Sequence, residues 1–140
     1  MGKRNDGAMA EVSGPLYAGA NVPAHAAADA TADHPVFRAP FACKVRKVRI
    51  VPGATLTGAD VNSCYLHVIN RGADGLGTTA LGSTYFASGT DATGGDSSNL
   101  YAPASPLAIA QDVVLAIQRE KIGGGLATPD LFVEVEYEAN

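Results

Sequence analysis

The stretch LFVEVEYE, Leu131 to Glu138, alternates without interruption. Leu131, Val133, Val135 and Tyr137 fall on one side, and Glu134, Glu136 and Glu138 on the other. A period of two is that of a half-buried β-strand; a helix would repeat its apolar positions every three or four residues. Burying four apolar side chains contributes roughly 1.5–3 kcal/mol each. A strand this strong belongs in the interior of a sheet, and the rest of the chain has to supply its neighbours.

Working backwards, DVVLAIQR reads as a strand with Val113, Leu115 and Ile117 inward, joined to the last strand by the turn-rich KIGGGLATPD. TTALGSTYF is another strand. NSCYLHVIN is apolar on both faces, with Cys64, Leu66 and Val68 on one and Tyr65 and Ile69 on the other, the mark of a central strand. Between them RGADGLG is a glycine hairpin loop. ASGTDATGGDSSN, residues 87–99, offers no large apolar side chain and reads as a long exposed loop. VFRAPFACKV carries Phe37, Phe41, Cys43 and Val45 at odd positions, and Pro40 places it at an edge or a bulge. After Val45 the apolar positions change parity to Val48 and Ile50, which predicts a bulge near Arg46 and Lys47. With 16 Gly and 8 Pro, and almost no helical periodicity, the expected fold is all-β: a jelly-roll-like β-sandwich of about eight antiparallel strands over residues 36–140. Residues 1–35 differ. PAHAAADATADHP is alanine-rich without an apolar stripe and ends in proline, so an extended or partly helical N-terminal arm is expected there.

The 140 residues are enough for one domain with a real core. The net charge is −4, with 10 Lys and Arg against 14 Asp and Glu, so the chain has no global attraction for a phosphate backbone. Against that balance, CKVRKVRI gathers Lys44, Arg46, Lys47 and Arg49 on one strand. β-type nucleic-acid readers interleave such cations with exposed aromatics on which bases stack; here the partners are Val45, Val48 and Ile50, which read as core. The acidic face Glu134, Glu136 and Glu138 is the matching element. Opposite charges on neighbouring strands, or across a subunit contact, fix register and partner choice. These seven residues are the candidate contact set, meeting carboxylates in place of phosphates, and no nucleic-acid partner is expected.

Chemistry-bearing patterns are sparse. Of 3 histidines, His25 and His34 fall in the arm and only His67 in the body, too few for a cupin-type metal site; His67 reads as a half-buried strand residue with a hydrogen-bond partner. RGADGLG leads into a strand, whereas a phosphate loop must lead into a helix. No G-x-S-x-G elbow is present. Cys43 and Cys64 lie in strand-like runs and read as small buried thiols of a chain made in a reducing cytoplasm. The opening MGKRNDGAMAEV lacks the apolar core of a secretory signal, and no run of eighteen apolar residues marks a membrane span. The expectation is no enzyme, no cofactor, no metal and no membrane partner.

The RAPF entry, the VPGATLTG connection, the NRGADGLGT loop and the closing GLATPDLFVEVEY strand together give a pattern that resembles the small jelly-roll cement, or decoration, proteins of tailed bacteriophage capsids. The similarity runs from about Val36 to Glu138. It implies a structural protein on the outside of the virion, bridging neighbouring major capsid protein subunits, often as a dimer or trimer with an extended arm. Its place would be the capsid exterior after synthesis in the host cytoplasm. It carries no active site with it. Jelly rolls also serve as receptor- or glycan-binding modules of phage fibres or spikes. For that alternative, Tyr85, Tyr101 and the loop from Gly89 to Asn99 would be the residues to watch. The chain has no Trp, and its 4 Phe and 5 Tyr fall mostly at core-like positions.

Overall fold

The computed structural model describes residues 14–140. They form nine antiparallel strands in two sheets, with no helix among the described residues. The strands are β1 (Leu16–Val22), β2 (Ala32–Arg38), β3 (Cys43–Pro52), β4 (Ser63–Gly72), β5 (Thr79–Tyr85), β6 (Ser98–Tyr101), β7 (Leu107–Ile109), β8 (Val114–Ile122) and β9 (Leu131–Ala139). One sheet runs β1-β9-β3-β6, with β7 also on β3; the other runs β2-β8-β4-β5. β4 and β5 are the sole consecutive strands that pair among the described residues. Nearly every other connection crosses between sheets, which makes the sandwich a jelly roll. β6 and β7 share one lane beside β3, split where Pro103 and Pro106 remove ladder donors. The nine strands include β1 and most of β2, which lie before residue 36.

β9 sits between β1 and β3, as its alternation requires. Leu131, Val133 and Val135 pack against Val45, Val48 and Ile50 of β3 and against Cys64, Leu66, Val68, Leu115 and Ile117 of the opposite sheet. β4 lies inside its sheet between β8 and β5. The expected parity change in β3 is a bulge: Val45 faces Tyr137, Lys47 faces Glu136, and Arg46 is the extra residue. The β4–β5 hairpin uses Gly72 and Gly75 at φ of 70° and 76°, a region that side chains disfavour. Cys43 and Cys64 are fully buried free thiols, and burial pushes both pKa values up.

Two expectations need correction. The boundary at residue 35 falls inside β2, and β1 lies wholly within the supposed arm. Leu16–Val22 pairs with β9 over all seven positions, and Ala32–Arg38 pairs with β8. The strand LYAGANV turns Ala18 and Ala20 toward the core, so its buried side is too small to stand out as apolar periodicity. The intervening alanine-rich piece is neither helical nor loose. His25 bridges Thr128, Asp29 caps the Ala26 amide at 2.9 Å, and the Asp130 carboxylate accepts from the Ala24 amide at 2.8 Å. The second correction concerns residues 87–99. Ala92 is buried and exchanges two backbone hydrogen bonds with Leu56, and β6 begins at Ser98. Pro40 marks the corner where the chain leaves one sheet for the other. Phe41 is consequently exposed, with its ring beside Tyr137.

Candidate interaction surfaces

The candidate contact residues converge on the solvent face of β3 and β9. Because β3 and β9 are antiparallel neighbours, cations and carboxylates separated by 85 to 92 positions in sequence become adjacent. Arg49 donates from Nε to Glu134 at 2.7 Å and from Nη2 to Glu136 at 2.8 Å. Arg46 donates from Nε to Glu136 at 3.0 Å and from Nη1 to Glu138 at 3.4 Å. The result is one alternating row, Glu138–Arg46–Glu136–Arg49–Glu134. The bulge makes it possible, since an unbulged strand would turn either Arg46 or Arg49 into the core.

Glu136 is the centre of the row and is almost completely buried. Burial opposes its ionisation, but hydrogen bonds from Arg49 and Arg46, with the charges of Arg49 and Lys47, outweigh that and hold its carboxyl below the usual range. The Arg49 guanidinium is pushed up by its hydrogen bonds to Glu134 and Glu136. Lys44 faces Glu138, and Lys47 faces Glu136, in the ladder register; neither closes an ion pair among the described residues. The arginines therefore meet their carboxylates inside the chain, so the pairing of the two charged strands belongs to the fold. Lys44 and Lys47 remain the cations of the set that can reach outward.

The opposite face, on β4, β5 and β8, carries an aromatic row. Tyr65 stacks on Tyr85 with ring centroids 4.6 Å apart and on His67 at 5.0 Å. Glu120 can only accept, so His67 donates from Nε2 at 2.7 Å, and its Nδ1 is hydrogen-bonded to the Ser83 hydroxyl. The Ser63 hydroxyl lies 2.9 Å from the Tyr85 hydroxyl. His67 is thus the partnered strand residue expected. The ring faces of Tyr65 are spent on its neighbours, and Tyr101 packs against the core, where burial raises its pKa. Beside this row is a shallow cavity of about 290 Å³ lined by Asp33, Pro35, Arg71, Gly75, Val114 and Ala116. Its charges are internally satisfied: Arg71 pairs with Asp33 and donates to the Gly75 carbonyl, and Gln118 donates to Asp33 at 2.8 Å.

Two further clusters escaped the sequence reading. Arg119 is 1% exposed and donates to the carbonyls of Asp29, Ala26, Ala27 and Leu126 at 2.7–3.2 Å. It clamps the β1–β2 connection to the sandwich. Its signal was parity, since residue 119 continues the inward series 115 and 117. His25 and His34 meet Nε2 to Nε2 at 2.7 Å between that connection and β2. Burial, then the neighbouring His25, lowers the His34 pKa against the opposing pull of Asp33. No group of three or more His, Cys, Asp or Glu suited to a metal ion occurs among the described residues.

No protein-family model matches the chain, and no curated protein matches it. Among solved structures the chain is similar to one described as the structure of infectious bursal disease virus Gx strain. The TM-score is 0.34 and the identity 13%, over 89% of this chain and 32% of that one. The chain thus spans about a third of the length of that protein. A likeness at that level adds nothing to the functional reading.

Proposed function

We propose that this is a structural virion protein that binds the outer surface of a phage capsid and cements neighbouring major capsid protein subunits. The observation that carries the reading is where the motifs of the resemblance fall. RAPF closes β2 and turns the corner into β3, VPGATLTG spans the β3–β4 connection, NRGADGLGT is the β4–β5 hairpin, and GLATPDLFVEVEY enters and forms β9. Each matched segment is a corner or a core strand of one jelly roll, the fold that the resemblance implies. A shell-binding protein needs little affinity per copy, because contacts repeat over the lattice and bridging two subunits raises the effective concentration. Lys44 and Lys47 are the outward cations available for acidic groups on such a shell. Arg46 and Arg49, already held by carboxylates, leave little basic surface for nucleic acid. The glycan-binding alternative loses Tyr101 to the core and one face of Tyr85 to Tyr65, so it is the weaker reading.

The test is co-sedimentation of the purified protein with capsids of its own phage lacking it. Saturable binding at a fixed ratio to the major capsid protein, with a rise in capsid melting temperature, is the expected result. Absence of binding at physiological salt refutes the proposal.

A further inference from the structure

The jelly roll exposes several strand edges, and all but one carry a device against edge-to-edge pairing. β2 has Asp33, Pro35 and Arg38 and a bulge between Pro35 and Phe37. β6 and β7 are four and three residues long. β5 carries a bulge, Leu81 being the extra residue against Val68 and Ile69 of β4. β1 has none of these. LYAGANV is seven residues long, with no charge, no proline and no register shift against β9. Among the described residues no other backbone group bonds to it, so alternate N–H and C=O groups along its outer side lack backbone partners.

The strand is also self-complementary about Gly19. Reading outward from that residue gives Ala18 and Ala20, then Tyr17 and Asn21, then Leu16 and Val22. An antiparallel partner centred on Gly19 sets each residue opposite its mate and keeps faces matched, because every pair has equal parity. Ala18 then meets Ala20, and Leu16 meets Val22, on the core side. On the solvent side, Tyr17 meets Asn21, which is itself opposite Phe132 in the β1–β9 ladder. Tyr17 and Phe132 are 55% and 43% exposed, two of the few large apolar side chains left in water. The Phe132 ring lies over Gly19, where an added Cβ would come within 2.6 Å of it. The bare glycine lets that ring lean toward the axis, where it would meet its symmetry mate. No charged residue lies on β1 to oppose its copy.

We infer that β1 is a homodimer interface: two copies pair β1 to β1 antiparallel about a two-fold axis at Gly19, joining two sheets into one. The occupant is a second copy because the sequence is complementary to itself. This names the contact behind self-association and stands whether or not the protein binds a shell. A seven-residue ladder is a small interface, so association in the micromolar range is expected.

The experiment is sedimentation velocity of the full chain across the micromolar range, with two variants. Tyr17→Lys with Asn21→Lys sets lysines opposite lysines at two symmetry-related places; Tyr17→Glu with Asn21→Glu does the same with carboxylates. Wild type should dimerise, and each variant alone should bind itself at least about tenfold more weakly. An equimolar mixture of the two should recover the dimer, which a misfolded variant could not do. A monomeric wild type overturns the inference. So does a trimer, which this closed symmetry forbids, or a dimer that both variants leave intact.

Discussion

Replacing Glu136 by Gln removes one charge from the middle of the β3–β9 row while keeping the side chain's size. The side chain is 10% exposed and accepts on both oxygens, from Arg46 at 3.0 Å and from Arg49 at 2.8 Å. A glutamine retains one acceptor and turns a donor amide toward the other arginine. Hydrogen bonds to a charged group contribute roughly 1.5–3 kcal/mol each and are about twice as strong as neutral ones. The Arg49 bond sits in the less exposed half of the row, whereas Arg46 is 43% exposed, so its share is screened to below about 1 kcal/mol. The expected loss is about 2 kcal/mol, or roughly 6 °C in melting temperature for a domain of this size.

Urea unfolding of wild type and Glu136→Gln at neutral pH measures the difference, and repeating it in acid tests its cause. The folded-state pKa of Glu136 lies below its ordinary value of 4.5. The carboxylate's contribution is therefore fully present above that value and is lost as pH falls through the depressed folded pKa. The gap between the two proteins should close in acid and be insensitive to moderate salt, since the pair is shielded from solvent. A gap below about 0.5 kcal/mol at neutral pH, within the range of ordinary surface changes, would refute the reasoning. So would a gap of the same size in acid, which would make the effect one of packing and not of charge.

Three more outcomes follow from the same structure. Deleting residues 1–35 removes β1 and half of β2, so circular dichroism should report an unfolded chain, not a shortened native one. Arg119→Met strips four part-buried carbonyls of their charged donor and should cost about 3 kcal/mol in urea unfolding, with faster amide exchange first over residues 24–31. A short epitope should be accepted at Gly89, which has φ 91° and open space around it, and should prevent folding at Gly94, where a Cβ would lie 2.8 Å from the Ala54 backbone; soluble yield and antibody binding decide between the two.

What could be read in advance follows side-chain size. β9, β4 and β8 announced themselves through alternating Leu, Ile, Val and Cys, and the bulge in β3 through a change of parity at Arg46 and Lys47. β1 uses Ala18 and Ala20 where a larger sandwich would use Val, and Ala92 is buried in what reads as a polar loop. Alanine fits the narrow margins of a sheet but contributes almost no pattern, so these pieces are held by partners more than a hundred or several tens of residues away. β2 hides for another reason: Asp33, His34 and Pro35 break its apolar run, and each is accommodated by a specific neighbour or an open edge.

The charged row shows the same limit from the other side. Sign complementarity between CKVRKVRI and LFVEVEYE is visible in the sequence, but whether the two strands meet within a chain or between chains depends on sheet order, which only the fold supplies. Once β3 and β9 are neighbours, Arg46 and Arg49 are committed to holding that register. The fold leaves over Lys44 and Lys47, which close no ion pair among the described residues, and Tyr17 and Phe132, which are exposed on the solvent side of β1 and β9. Reversing Arg46 and Arg49 to Glu should therefore lower the melting temperature of the isolated chain, whereas neutralising Lys44, which faces Glu138 in the ladder without closing an ion pair, should leave it unchanged and weaken only the proposed capsid binding.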